Sequence, residues 1–362
     1  MLKPIDKRFQ VSPFLVFYIT TSVQVGVGVL GFQPFILDAG QDGWVAVILA
    51  GLMVHGIIWI MYKLIRNGKG DLIDIHQQAF GKWIGNLLSI GVMLYFIITA
   101  ITVLRSYIEV VQVWIFPDLA TWSFALPFIM LTYYVVMGGF RTVVGISFFS
   151  IILPAYLALT FLFPLKFAKW ENLGPLFDVG LQPLFSASLK MTLSYLGFSV
   201  LLVFHPYVKD GMNTQKWAQL GTLTTTLFYV LIEIVTIIYY SPGQLKIVTW
   251  PTLGLWKTAE LPFVERFEFI GISTWLLVVL PNITIFLWAA SRIGKRVVGF
   301  KQKYFLVIIL IIVFIGCNYF EKRENIGQLS NNVGAIGKYY NFVYIPLLFI
   351  IHSISVKVRK SK

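Results

Sequence analysis

The chain has 362 residues, of which 57% are hydrophobic and only 12% charged, against about 25% charged in an ordinary soluble domain, which excludes a soluble enzyme. The net charge of +13 would suit a nucleic-acid partner, but Lys and Arg gather in short loops between apolar runs, where membrane topology places them, so no such partner is expected. The single cysteine, Cys317, lies in an apolar run and forms no internal disulfide.

At the start of the chain, Lys3, Lys7 and Arg8 precede an apolar stretch from Val11 to Leu37 that lacks a small-residue cleavage site. It is too long for the core of a signal peptide and reads as the first of about ten spans of about 20 residues each. The spans are expected near 11–36, 43–64, 85–108, 122–138, 142–164, 185–206, 217–240, 267–291, 303–320 and 339–356. Basic residues concentrate in both tails and in the loops around 65–84, 139–141, 207–216 and 292–303. Because Lys/Arg bias sets orientation, both termini are expected in the cytoplasm.

Within the first span, Gly26, Gly28 and Gly31 follow Thr20, Thr21, Ser22 and Gln24. Each interior glycine costs a helix about 1 kcal/mol relative to Ala. The stretch therefore either unwinds, freeing backbone groups for a ligand, or lets another helix pack closely. It also matches GxGxxG, but that fingerprint needs a strand before it and a helix after it, which a membrane span does not offer. In the third span Arg105 and Glu109 are four residues apart and share a helical face, so an ion pair is expected.

The sixth span carries Ser194, Gly197 and Ser199, a glycine between two serines that would be the counterpart of the first-span break, or an ordinary glycine at a helix crossing. His205 and Asp210 have the spacing of an acyltransferase His/Asp pair, but no phosphate-binding patch accompanies them, and geometry must precede such an assignment. In the seventh span Glu233 is an acid at mid-membrane. It either carries protons or cations or is hydrogen-bonded for packing, and in both cases faces the protein interior. Pro281 and Asn282 interrupt the eighth span, with Ser273 and Thr274 two turns earlier; Asn282, Thr274 and Glu233 are the candidates for a polar pathway. No Walker A, HExxH or Gly-x-Ser-x-Gly pattern is present, and neither a cofactor, a metal nor a catalytic residue is expected.

The longest connection of the first five spans, about 65–84, follows the second, and that of the last five, about 241–266, follows the seventh. Five being odd, the matching loops fall on opposite sides of the membrane. The expected fold is all-α and polytopic, a single transmembrane domain over 1–362 with a 5+5 inverted repeat, about 11–164 and about 185–356, and discontinuous first and sixth helices.

Five segments carry a family resemblance: GVGVLGFQP in the first span, DGWVAVILAG opening the second, FGKWIG before the third, VVMGGFRTV between the fourth and fifth, and WPTLGLWKTAELPFVERFEF before the eighth. With these the chain resembles the spore germination permeases, the B subunits of nutrient germinant receptors, within the amino acid–polyamine–organocation superfamily. The resemblance implies a multi-pass protein of the spore inner membrane that acts with A and C subunits, binds a small nutrient such as an amino acid, and triggers germination. It implies a pocket among the first, third, sixth and eighth helices, with Gly26, Gly28, Gly197, Ser199 and neighbouring Ser194 as candidates. Many relatives have an acid where this chain has Ser199, a departure that implies a different ligand or a different charge-balancing arrangement. A proton-coupled amino-acid transporter using Glu233 is the alternative, and a membrane acyltransferase the third.

Overall fold

A computed structural model describes residues 5–68, 70–262 and 264–360. Lys3 and Lys362 of the basic tails lie outside the described residues. Among these, helices dominate and extended pairing is confined to two isolated bridges, Val11 with Val208 and Leu261 with Val264. Helix is what a bilayer demands, since a span must satisfy its backbone groups internally.

Helix α1 (Leu15–Gln24) is short and gives way to 3-10 turns at Val27–Leu30 and Gln33–Asp42. Then follow α2 (Gly43–Gly68), α3 (Leu72–Trp114), α4 (Thr121–Met137) and α5 (Phe140–Ile152), which continues as a 3-10 helix to Phe167. Helix α6 (Leu181–Met191) ends in a turn at Thr192–Tyr195, and α7 (Leu201–Phe204) sits between turns at Phe198–Val200 and His205–Tyr207. After them come α8 (Gln215–Tyr239), the one-turn α9 (Pro242–Leu245) and α10 (Pro251–Trp256), then α11 (Phe267–Val298), α12 (Gln302–Tyr319), α13 (Arg323–Tyr339) and α14 (Ile345–Lys360). Among the described residues seven helical stretches are long and apolar enough to cross a membrane, eight with the pair Leu181–Tyr195 and Phe198–Tyr207, bent by 51°. Two shorter apolar helices, Leu15–Gln24 and Thr121–Met137, stand beside them.

The bundle is organised around α11, which lies along α3 and also touches α5, α12 and α1. Helix α8 packs on α1 and α2, and α14 closes the outside of α2 and α3. Glycines set the closest crossings: a Cβ at Gly51 would strike Thr226, and one at Gly221 would lie 2.8 Å from the Phe17 carbonyl. Small residues allow such approach where no water-driven force pulls helices together.

The structure differs from the sequence expectation in three places. The connection at 65–84 is largely helical: Asp71 caps α3, its carboxylate accepting from the Ile73 and Asp74 amides at 3.0 and 3.2 Å, while Asp74 accepts from the Asp71 amide at 3.3 Å. Gly81, at φ 79°, then interrupts the helix. The residues before 339 are likewise helical, since α13 runs into α14 through a π turn at Tyr340–Tyr344. Their polar composition hid an amphipathic face that buries Ile326, Val333, Gly334 and Gly337.

Arg105 forms no ion pair with Glu109 among the described residues. It donates instead to the Phe320 and Glu321 carbonyls at 2.6 and 3.1 Å and to Gln112 at 3.1 Å, while Glu109 lies 3.7 Å from Arg323. The carbonyls just past the end of α12 lack intrahelical donors, and a guanidinium fits that negative helix end.

Arg296, near the end of α11, ties that helix to the start of α3 by pairing with Asp71 and, at 3.1 Å, with Asp74. Both carboxylates are buried. Removing one partner of a buried pair costs about 3–5 kcal/mol because the other charge is stranded. Arg296→Ala should therefore lower the apparent Tm of the purified protein in detergent far more than Arg66→Ala, which removes one exposed hydrogen bond to Gln215.

Candidate functional site

Helix α1 stops because Val25 turns extended, at φ −102° and ψ 105°, and Gly26 follows at φ −148° and ψ −148°. The carbonyls this frees find donors on neighbouring helices. The Asn282 amide of α11 donates to Ser22 at 2.7 Å and Val25 at 3.1 Å. Trp275 Nε1, two turns earlier, reaches the Gly26 carbonyl at 3.2 Å, and Thr252 of α10 reaches that of Val29 at 2.8 Å.

The second break is at Gly197, whose φ of +117° is one that side-chain-bearing residues rarely adopt. A Cβ there would also lie 2.9 Å from the Val23 carbonyl and 3.0 Å from Phe286, so both conformation and space require glycine. The two breaks meet: a Cβ on Gly28 would stand 3.7 Å from Ser194 Cα and 3.8 Å from its Oγ. One hydroxyl serves both, since Tyr229 of α8 lies 3.1 Å from the Gln24 carbonyl and 3.0 Å from that of Ser194. Its ring packs on Phe32 and Tyr195 at centroid distances of 5.0 and 5.2 Å.

Gly26, Gly28, Ser194, Gly197 and Asn282 are therefore gathered at one place. Gly26 packs on the Asn282 side chain, while Gly28 is exposed amid buried neighbours. Ser199 is buried within the continuation of the sixth span, its hydroxyl without a partner among the described residues. Thr274 is directed away from this cluster, bonded at 2.7 Å to Tyr156. Glu233 lies one turn beyond Tyr229 on α8, pressed against Gly43 at the start of α2, and its Oε2 has no partner among the described residues. Beside it, Gln33 donates to Thr236 at 3.2 Å and Thr252 at 2.9 Å.

Singling out Glu233 missed the row it belongs to. Thr222, Thr226, Tyr229, Glu233 and Thr236 are all buried, spaced four, three, four and three apart, which places them on one face of α8. Thr222 accepts from Gln24 at 3.1 Å and Thr226 from Tyr195 at 3.2 Å. The helical period of polar residues inside an apolar helix was the available signal. His205 and Asp210 share no hydrogen bond among the described residues, whereas a general base and its orienting acid need one.

The family model described as Spore germination protein matches residues 10–326. The chain belongs to this family, the spore germination permeases. It is 39% identical to spore germination protein GerQB of Bacillus cereus over 99% of this chain and 100% of the relative. Spore germination protein A2 of Bacillus subtilis (strain 168) is 25% identical, covering 92% of this chain and 91% of that one. Among solved structures, MhsT in complex with L-phenylalanine aligns with a TM-score of 0.60 at 14% identity, covering 96% of this chain and 99% of that one. This spore germination permease is thus a nearly all-helical, multi-pass membrane protein that shares the fold of MhsT, and is not an enzyme.

Two substitutions separate architecture from surface here. Gly197→Ala should strongly lower folded yield, since its Cβ meets backbone and its φ is unfavourable. Gly28→Ala, whose Cβ would make only ordinary contacts, should fold like wild type. Size-exclusion profiles and apparent Tm of the two variants, purified side by side, check this.

Proposed function

We propose that the protein is the membrane subunit of a nutrient germinant receptor and that a small zwitterionic nutrient, such as an amino acid, binds where its two broken helices meet. The contact of the breaks at Gly28 and Ser194 carries this reading. Glycine exposes backbone where a partner must approach closely, and Gly28 is exposed and Ser194 half-buried in a cluster whose other members are buried. Broken helices at mid-membrane present half-helix ends, and a ligand carboxylate suits the positive one. MhsT, of similar fold, was crystallised with L-phenylalanine, a ligand of that chemistry.

The proposal extends to the setting. The two breaks are counterparts in a 5+5 inverted repeat, about 11–164 and about 185–356, of one transmembrane domain. Both termini face the cytoplasm, the membrane is the spore inner membrane, and A and C receptor subunits read the conformational change. Such a shift requires the nutrient to bind one conformation more tightly than the other.

A second reading, a proton-coupled amino-acid transporter, is favoured by one observation: the Glu233 carboxylate is buried one turn from Tyr229, its Oε2 without a partner among the described residues. An acid so placed in a membrane is a proton-site candidate.

The two readings separate in liposomes holding the purified protein, tested on one panel of labelled amino acids and sugars for saturable binding and for accumulation. Binding without accumulation is the result expected of a receptor, unaffected by Glu233→Gln. Accumulation driven by a proton gradient and abolished by Glu233→Gln would make it a transporter. In either case Gly28→Leu should weaken binding at least about tenfold, the cost of filling an occupied space with a side chain. Normal germination by every nutrient in spores carrying disruptive changes at both Gly28 and Ser199, with the protein present and no other receptor compensating, would sink the pocket.

A further inference from the structure

Away from the helix breaks, a cavity of about 850 Å³ opens where the α4–α5 turn, the end of α11 and the start of α12 meet the N-terminal segment. That segment is held in place by backbone pairing, Val11 donating to the Tyr207 carbonyl at 2.9 Å and Lys209 to that of Val11 at 3.0 Å. Arg141 also donates to the Arg8 carbonyl at 3.0 Å. The cavity wall carries Arg8, Arg141, Arg292, Lys295 and Lys303 against one acid, Asp6, and Asp6 is already paired with Arg8 at 2.8 Å. Among the described residues none of the other four cations has a carboxylate partner.

Arg292 decides what this means. It is only 9% exposed, and its Nε has no hydrogen-bond partner among the described residues; its guanidinium lies 5.4 Å from the centre of the Tyr207 ring. Four residues later on the same helix, Arg296 has two carboxylates, Asp71 and Asp74. Loop lysines and arginines are sufficiently explained by membrane orientation, which asks for charge near a span end, not for a buried guanidinium without an anion. A buried charge is costly unless paired.

The floor beside Arg292 is aromatic: Phe140 packs on Trp288 at 4.6 Å between centroids, and Trp288 on Tyr207 at 5.0 Å. An occupant must therefore be anionic with an apolar flank. A guanidinium fork matches the oxygens of a phosphate bidentately, and basic pockets between membrane helices hold anionic headgroups. We propose that this cavity binds a phosphate-bearing anion, in the first place the headgroup of an anionic phospholipid, with Arg292 as its anchor. The site is independent of the nutrient pocket, and neither assignment depends on the other.

The test uses the purified full-length protein, stripped of lipid in neutral detergent. Phosphatidylglycerol and phosphatidylcholine are titrated and followed by native mass spectrometry, and inorganic pyrophosphate by calorimetry. Saturable binding of phosphatidylglycerol in preference to phosphatidylcholine is expected. Arg292→Gln should weaken it at least about tenfold, the loss of a hydrogen bond to a charged group. So should the double change Arg141→Gln with Lys303→Gln, which leaves the buried arginine untouched and covers the case in which Arg292→Gln fails to fold. Saturable pyrophosphate binding with the same sensitivity, and no lipid preference, would assign the site to soluble phosphates instead. The proposal is overturned if neither probe binds saturably, or if folded variants of both kinds bind as tightly as wild type.

Discussion

Carbonyl oxygens released inside a bilayer must find donors within the protein, because lipid offers none. That constraint organises this molecule. Breaking the first span at Gly26 releases the carbonyls of Ser22, Gln24, Val25 and Gly26, and those groups take Asn282, Tyr229 and Trp275 as donors. The donors fix which faces of α8 and α11 turn inward, and α11 in turn fixes α3 along its length. The break is therefore a built feature with its own supporting shell, not a local defect in a helix.

Much of the scaffold was legible in the sequence because membrane spans announce themselves by hydrophobic runs and because glycine has few uses inside a helix. Gly26, Gly28 and Gly197 stood out for that reason, and they do lie together. What was not legible shares one cause: polar residues serve several purposes, and only the fold says which. The polar stretch before 339 reads as a connection until its buried stripe of Ile326, Val333 and Gly337 is seen to be a helix face. Arg105 has an acid one turn away, yet donates to carbonyls beyond the end of α12, while that acid faces Arg323. Thr274 and Asn282 lie two turns apart on α11, but the helix directs one to Tyr156 and the other into the break.

The same helix shows how charge is divided between architecture and binding. Arg296 is matched by carboxylates from within the chain and locks α11 to α3. Arg292 has no carboxylate partner among the described residues and lies on a cavity instead. Likewise α8 divides its polar row, with Thr222 and Thr226 hydrogen-bonded to Gln24 and Tyr195 while Glu233 Oε2 has no partner among the described residues. Receptor and transporter readings draw on one scaffold, so fold alone does not choose between them; the difference resides in what the incompletely matched groups do.

The Tyr229 hydroxyl has a further consequence. Both of its acceptors, on Gln24 and Ser194, are main-chain atoms, which every amino acid provides alike. Sequence drift at positions 24 and 194 therefore cannot alter the demand for a donor, and the whole requirement falls on position 229. A phenylalanine there would preserve the ring and its packing while depriving both carbonyls of that donor at once. This bridge between the two breaks thus rests on a single oxygen atom, at a residue that in the linear sequence is one more aromatic in an apolar run.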